Sequence, residues 1–486
     1  MKNLNFAPAR ALSLLLIIAF TASPLWATCG GGGGGGVGGM SGGGGSTPTV
    51  YYVPWKIRQT TDPAPQGLVL YWFPATTAEV KNSSLRASRI LTLYASQCVS
   101  MELADTQLPN AATLIGDSKL PIAVLVNPDG SPVNKLENTN GKLKVEQVEK
   151  LVETEVKQRE SALDSDLRDA KAKAAAGDKD AAVKLYQSVA TQKCMFPKKA
   201  KDAANALKKL GMNYEAAIPA TPVFDRQISA LIERTMQRGL LAEMNAQYVT
   251  AEKFYLKANR MDPADPAPLR YLGELYRHHI GNWEKARAVF DEILDMSADP
   301  LSRAVALHGL GKMTIHEGEF KKGLSLMEQS IAEFPLALAY RNLAVYWNSE
   351  GEFAKGNEYT QKALALDPKD PYNLVFAAVF MAAVGHREEA LKIAQKNAGL
   401  LPASYNLAAI YAQNGQRDKA LAFLKRHFYQ YERYRSVRSK EMMEARVDAV
   451  FDSLRADSGF LALTSDADGR LQMPLKGMGN RSDANR

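Results

Sequence analysis

Read as a pattern of apolar and polar positions, the chain divides into stretches of different period. From Tyr51 to Lys157, strand-like and helix-like segments alternate. "GLVLYWF" (Gly67–Phe73) is an unbroken apolar run ending in aromatics, the pattern of a strand buried on both faces. "SSLRASRILTLYASQ" spaces its apolar residues as a helix does after a Ser N-cap, and "CVSMELAD" alternates like a second strand. "LPIAVLVNPDGSPV" runs into an Asn-Pro-Asp-Gly turn, which predicts an antiparallel partner strand. "KVEQVEKLVETEVK" then closes the stretch with an amphipathic helix, and the whole order describes a small α/β sandwich.

From residue 158 the period changes to that of helices, and it repeats. Aligning Gly177, Gly211, Ala246, Gly281, Gly318, Gly351, Gly385 and Gly415 places a small residue five positions on in every unit: Ala182, Ala216, Ala251, Ala286, Gly323, Gly356, Ala390 and Ala420. The starts are 34, 35, 35, 37, 33, 34 and 30 residues apart. Glycine suits a turn that needs positive φ, and a small residue lets two helices approach. Each unit is therefore expected to be a helical hairpin. "YLGELY", "GLGKM", "NLAVYW" and "NLAAIY" supply first helices, while Pro263, Pro335, Pro368 and Pro402 separate units. Pro219 and Pro222 fall where the second unit's second helix should run, so a break in the stack is expected there.

These marks resemble two known families. Leu-Gly, Tyr, Gly, aromatic, Ala and Pro in that order over about 34 residues resemble the tetratricopeptide repeat, covering 158–425. The resemblance implies a mostly α protein, a right-handed α-solenoid of about eight hairpins, with residues 426–465 as capping helices. Phe428, Tyr431, Tyr434, Val450, Phe451 and Leu454 would form the cap's buried stripe. Residues 51–157 resemble the thioredoxin-like family: Pro121 stands where that family has its cis-proline, and Trp72-Phe73-Pro74 where it has its aromatic strand end. The departure is in the turn. Thiol–disulfide exchange needs a low-pKa thiolate and a resolving thiol at a helix N-terminus, and Thr76–Ser84 holds no cysteine.

The ends of the chain add location. Lys2 and Arg10 precede the apolar "ALSLLLIIAF", which is too short to span a bilayer, so residues 1–28 read as a bacterial secretory signal. Export to the periplasm or envelope follows. Cleavage after Ala27 and lipidation of Cys29 both remain open. "CGGGGGGGVGGMSGGGGSTP" within 29–50 is a flexible linker, because it lacks the Gly-Lys-Ser/Thr ending of a phosphate loop. Residues 466–486 read as a disordered tail. Three cysteines exist in the chain, and Cys98 and Cys194 are read as two buried, unpaired thiols, with pairing left open.

Charge and chemistry change little. A net charge of +8 spread along the chain permits an acidic partner without indicating nucleic acid. None of the six histidines stands in an HExxH or a paired metal spacing, and no nucleophile elbow appears, so no enzyme, cofactor or metal is expected. The sharper expectation concerns the groove. The repeat resemblance points first-helix positions inward, and these include Arg270, Arg277, His308, Lys312, Arg341 and Asn348, then Tyr372, Val375, Val379 and Tyr405. A basic strip followed by an apolar one suits a protein or peptide partner with an acidic or C-terminal carboxylate end. The expected function is a non-catalytic protein-interaction scaffold. The alternative is a thiol-redox protein, or adaptor for a redox partner, that uses Cys98.

Overall fold

The computed structural model describes residues 50–465, apart from 61, 63–64, 66, 213–221, 351, 402 and 433–434. The expected signal peptide, Cys29, nearly all of the glycine linker, Tyr434 and the tail lie outside the described residues. No described helix is long and apolar enough to cross a membrane.

The N-terminal region is a five-stranded mixed sheet of β1 (Lys56–Ile57), β2 (Leu68–Phe73), β3 (Val99–Leu103), β4 (Ile122–Val126) and β5 (Pro132–Glu137), in the order β1-β3-β2-β4-β5. β3 runs parallel to β1 and β2, whereas β4 pairs antiparallel with β2 and with β5 across the expected turn. Every residue of β2 and β4 is buried, because both faces of these central strands are covered. Short helices α1 (Thr77–Asn82), α2 (Arg89–Ala95) and α3 (Ala111–Ile115) connect the strands. Leu68, Leu70 and Trp72 face one core, while Val69, Tyr71 and Phe73 face a second with Ala111 and Leu114, as a period of two requires. The Leu120–Pro121 bond, just before β4, is cis.

Helix α4 (Val145–Ala175) is 31 residues long and uninterrupted. It serves as the closing helix of the α/β region and as the first helix of the first hairpin, so residue 157 lies inside a shared helix. Its partner is α5 (Lys179–Thr191), followed by α6 (Pro197–Lys209). The stretch where the second unit's second helix was expected, with Pro219, lies mostly outside the described residues; residues 222–225 are not helical, and α7 (Arg226–Met244) follows. Cys98, at the start of β3, is disulfide-bonded to Cys194 in the α5–α6 connection, with Cα atoms 5.8 Å apart. This corrects the reading of two unpaired thiols. Positions 96 residues apart are brought together because one apolar core runs from Trp72 through Val148 and Tyr186 to Leu207.

Regular hairpins follow: α7 with α8 (Tyr248–Met261), α9 (Pro266–Glu274) with α10 (Trp283–Asp295), α11 (Pro300–His316) with α12 (Phe320–Glu333), and α13 (Ala337–Ser349) with α14 (Phe353–Leu366). α15 (Pro371–Ala383) with α16 (Arg387–Asn397) and α17 (Tyr405–Gln413) with α18 (Arg417–Arg426) complete the series. The turn positions behave as their spacing predicts. Gly281, Gly318, Gly385 and Gly415 have φ of 72°, 96°, 102° and 69°, and Ala246 takes the same conformation at 56°. At the close approach in the α11–α12 hairpin, a Cβ on Gly323 would lie 2.4 Å from Ile315 Cγ1 and 2.6 Å from the Gly311 carbonyl. The protein is mostly helical, and its hairpin series is consistent with a solenoid.

The C-terminal segment departs from a simple end cap. Ala449–Leu454 and α20 (Ser458–Leu463) do pack on α17 and α18, burying Phe428, Phe451, Leu454 and Phe460. Val450 and Tyr431 are half-buried. The intervening helix α19 (Arg435–Val447) instead turns back over the ends of the first helices of earlier hairpins.

Candidate functional site

Five of the six histidines, none in a recognisable motif, converge at the inner ends of these hairpins. Two segments are wound as π-helix, with i→i+5 backbone bonds in place of i→i+4. Leu275–Ile280 extends α9 and carries His278 and His279. His427–Tyr431 extends α18 and is closed by a 2.9 Å bond from the Glu432 N–H to the His427 carbonyl. That closure brings the His427 and Glu432 side chains together. π-turns of this kind concentrate at functional positions. α19 contributes Glu441 and Glu444, three apart and hence on one helix face.

The resulting hub is buried and rich in ionisable groups. His316 Nε2 lies 2.7 Å from Glu444 Oε1. Burial holds His316 down at about 3, and burial together with repulsion from Glu441 raises Glu444 to about 8. Burial thus pushes both members of this pair toward their neutral forms. His427 Nε2 is 3.5 Å from Glu441 Oε2, and His278 Nε2 is 3.7 Å from Glu432 Oε1 and 3.4 Å from the Tyr431 hydroxyl. Burial, then repulsion by Glu441, raises the Glu432 carboxyl well above its ordinary range. Lys440 lies over the Trp283 ring at 2.8 Å from its centre, pinning the far side of α19.

The residues expected to line the groove divide into two groups. Lys312 faces the hub, and its positive charge acts on Glu432, Glu441 and Glu444. Arg277 is buried beside it in a bidentate pair with Glu274, at 3.1 and 2.6 Å. Tyr405 reaches Asp448 Oδ2 at 3.1 Å, just beyond α19. His308 is buried and bonded to Asn342 at 2.7 Å, and Asn348 is half-buried at the end of α13. The others serve packing between units. Arg270 is only 1% exposed and bonds Ser302 Oγ and the Val50 carbonyl, which brings the N-terminal segment onto α9. Arg341 reaches Asn373 Oδ1 at 2.7 Å and stacks over Tyr372 and Phe376.

Carboxylates of the same chain thus occupy the place where an acidic partner was expected, although the segment that carries them, 427–448, has five Lys and Arg against four Asp and Glu. Glu432, Glu441 and Glu444 gave no sequence signal of this role, because two of them lie in an ordinary amphipathic helix. His427, Glu432 and Glu441 also form a group that could hold a metal ion, their ligand atoms all lying within 4.8 Å of one another.

At the other end of the chain, the turn after β2 is closed upon itself. Thr76 caps the Glu79 N–H, and Glu79 accepts the Ala75 N–H at 2.8 Å and Trp72 Nε1 at 3.3 Å. This helix N-terminus is thus capped by its own side chains.

No family model matches the chain. One curated relative, Protein CTR9 homolog of Arabidopsis thaliana, is 24% identical over 223 residues, covering 36% of this chain and 20% of that protein. The chain therefore spans about a fifth of that relative's length. The similarity and the helical hairpins together fit a tetratricopeptide-like repeat protein.

Proposed function

We propose that this protein is a non-catalytic interaction scaffold of a bacterial cell envelope, exported by its N-terminal segment and binding protein or peptide partners through the inner face of its hairpins. One observation carries the reading. Side chains from α9, α11 and α17 all reach a single segment, residues 427–448, and hold it through its carboxylates. A surface that seats the carboxylates of a helical segment in cis can seat those of a partner segment in trans, with Lys312 and Arg277 facing them. The relation to a repeat protein supports the same class of function.

The N-terminal region is read as a thioredoxin-like domain without redox chemistry. Its strand order, Pro121 before β4 and the cysteine-free, self-capped turn at Thr76–Glu79 support that reading. It would act as a recognition surface or as the cap of the first hairpin. The alternative, a redox role for Cys98, must reckon with a disulfide that ties β3 to the repeats.

Site-specific photo-crosslinking in cells tests the scaffold reading. A photoreactive residue at Lys312 or Asn348, compared with one at the 73%-exposed Val384, should capture a discrete protein from the inner positions alone. Equal capture at Val384, or none at either inner position, would overturn it. Cell fractionation checks the envelope location.

A further inference from the structure

We propose that the hub where Glu432 and Glu441 meet His278 and His427 is a binding site for one divalent transition-metal ion of the zinc class, and that this ion fastens the C-terminal segment to α9. Four observations support the site. His427 Nε2 and Glu432 Oε1 are both buried and make no hydrogen bond, although their residues are only 4% and 2% exposed. His427, Glu432 and Glu441, whose ligand atoms lie within 4.8 Å of one another, offer one nitrogen and two carboxylates, and His278 beside Glu432 adds a second nitrogen at the edge; such a set suits zinc-like ions, whereas calcium and magnesium prefer oxygen alone. Spacing is also suitable. Metal–ligand bonds of about 2.1 Å set tetrahedral donors roughly 3.4 Å apart. His427 Nε2 to Glu441 Oε2 is 3.5 Å and His278 Nε2 to Glu432 Oε1 is 3.7 Å. Finally, the donors come from two π-turns and one helix, so their positions are fixed by backbone geometry.

One contact opposes ligation. The Ser404 N–H reaches His427 Nδ1 at 3.3 Å, which leaves the ring proton on Nε2. Ligation at Nε2 moves that proton to Nδ1 and opens the Ser404 contact. The contact is long for a hydrogen bond, and a zinc–imidazole bond outweighs it.

The test is calorimetric titration of the full, untagged chain with zinc chloride, alongside cobalt(II) substitution read by its visible spectrum. One ion per chain, tetrahedral cobalt bands and a raised Tm are expected. Glu432→Gln and His427→Gln should each weaken binding at least about 100-fold, since changes even outside the ligand set cost 10–100-fold. His386→Gln, at the exposed sixth histidine, should change nothing. If either hub variant fails to fold, His278→Gln serves as a milder probe, and zinc should slow proteolysis across 435–447 in wild type but not in that variant. No saturable binding, or binding unchanged by the hub variants, would overturn the proposal. These outcomes do not depend on any partner, so the scaffold reading stands or falls separately.

Discussion

The described regions on either side of the hairpins both pack back onto them, and they do so by opposite chemistry. At the N-terminal seam the Arg89 guanidinium is buried against Asp262 and Asp265, and it also bonds Ser229 Oγ and the Val223 carbonyl. The Tyr51 hydroxyl completes Asp265 at 2.9 Å. Each charge there has partners of opposite sign or matching polarity. The C-terminal seam has carboxylates in excess, and His427 Nε2, Glu432 Oε1, His308 Nδ1 and Glu243 Oε1 lie buried without hydrogen bonds. A buried charge network holds together only when its members are satisfied. The first seam is accordingly a permanent joint. The second has the energetics of a conditional one, waiting for a proton, a cation or a competing partner.

The sharpest way to break this contrast is Arg89→Ala. It strands Asp262 and Asp265 in the core, and losing one partner of a buried ion pair costs about 3–5 kcal/mol. Denaturant unfolding should show a loss of that size, with the α/β region released from α7–α9. Next in size is Cys98→Ser, which removes the cross-link between β3 and the α5–α6 connection and should cost about 2–4 kcal/mol. Groove crosslinks should survive this change. If it abolished them through loss of a mixed disulfide with a partner, the redox reading would replace the scaffold reading. Gly323→Val is smaller and independent of both seams. Its Cβ meets the Gly311 carbonyl and Ile315, so about 1–3 kcal/mol of overpacking is expected while both seams keep their protection from proteolysis.

How much of this was legible in the sequence depends on the range of the interaction. The hairpins were, because glycine at a positive-φ turn and a small residue at the helix contact are local requirements repeated every 34 residues or so. Gly281, Gly318, Gly385 and Gly415 all fulfil them. Strands β2 to β5 were legible too, through the unbroken apolar run "GLVLYWF", the alternation of "CVSMELAD" and the Asn-Pro-Asp-Gly turn, whereas β1 at Lys56–Ile57 gave no signal. The Cys98–Cys194 bond was not, since nothing local shows that a strand start and a helix connection 96 positions apart share a core. The hub escaped for the same reason. His278, His427, Glu432 and Glu441 follow no spacing rule, and only the return of α19 over the hairpins brings them together. The inward-facing register named Arg270 and Arg341 beside Lys312 and Arg277, and could not tell that the first two are spent on packing between units.

A change of slope with pH, rather than a loss at one pH, probes the unbalanced seam most directly. Glu243, at the edge of the hub beneath His279, is buried, and burial raises its carboxyl to about 8 despite the Tyr255 hydroxyl at 2.6 Å. In the unfolded chain the same carboxyl ionises near 4.5. Between about pH 4.5 and 8 the folded protein thus holds a proton that the unfolded chain has released. Stability from this group is fully present below 4.5 and is lost as pH rises toward 8, by on the order of 1 kcal/mol per unit. Glu243→Gln keeps the neutral, hydrogen-bonding shape and removes the titration. The fall in Tm between pH 6 and 8 should therefore be shallower in the variant, with the two proteins closest at pH 5. Equal slopes would mean that Glu243 is ionised in the folded state. A buried cation would then have to lie within reach of it, and the contrast between the two seams would lose its edge.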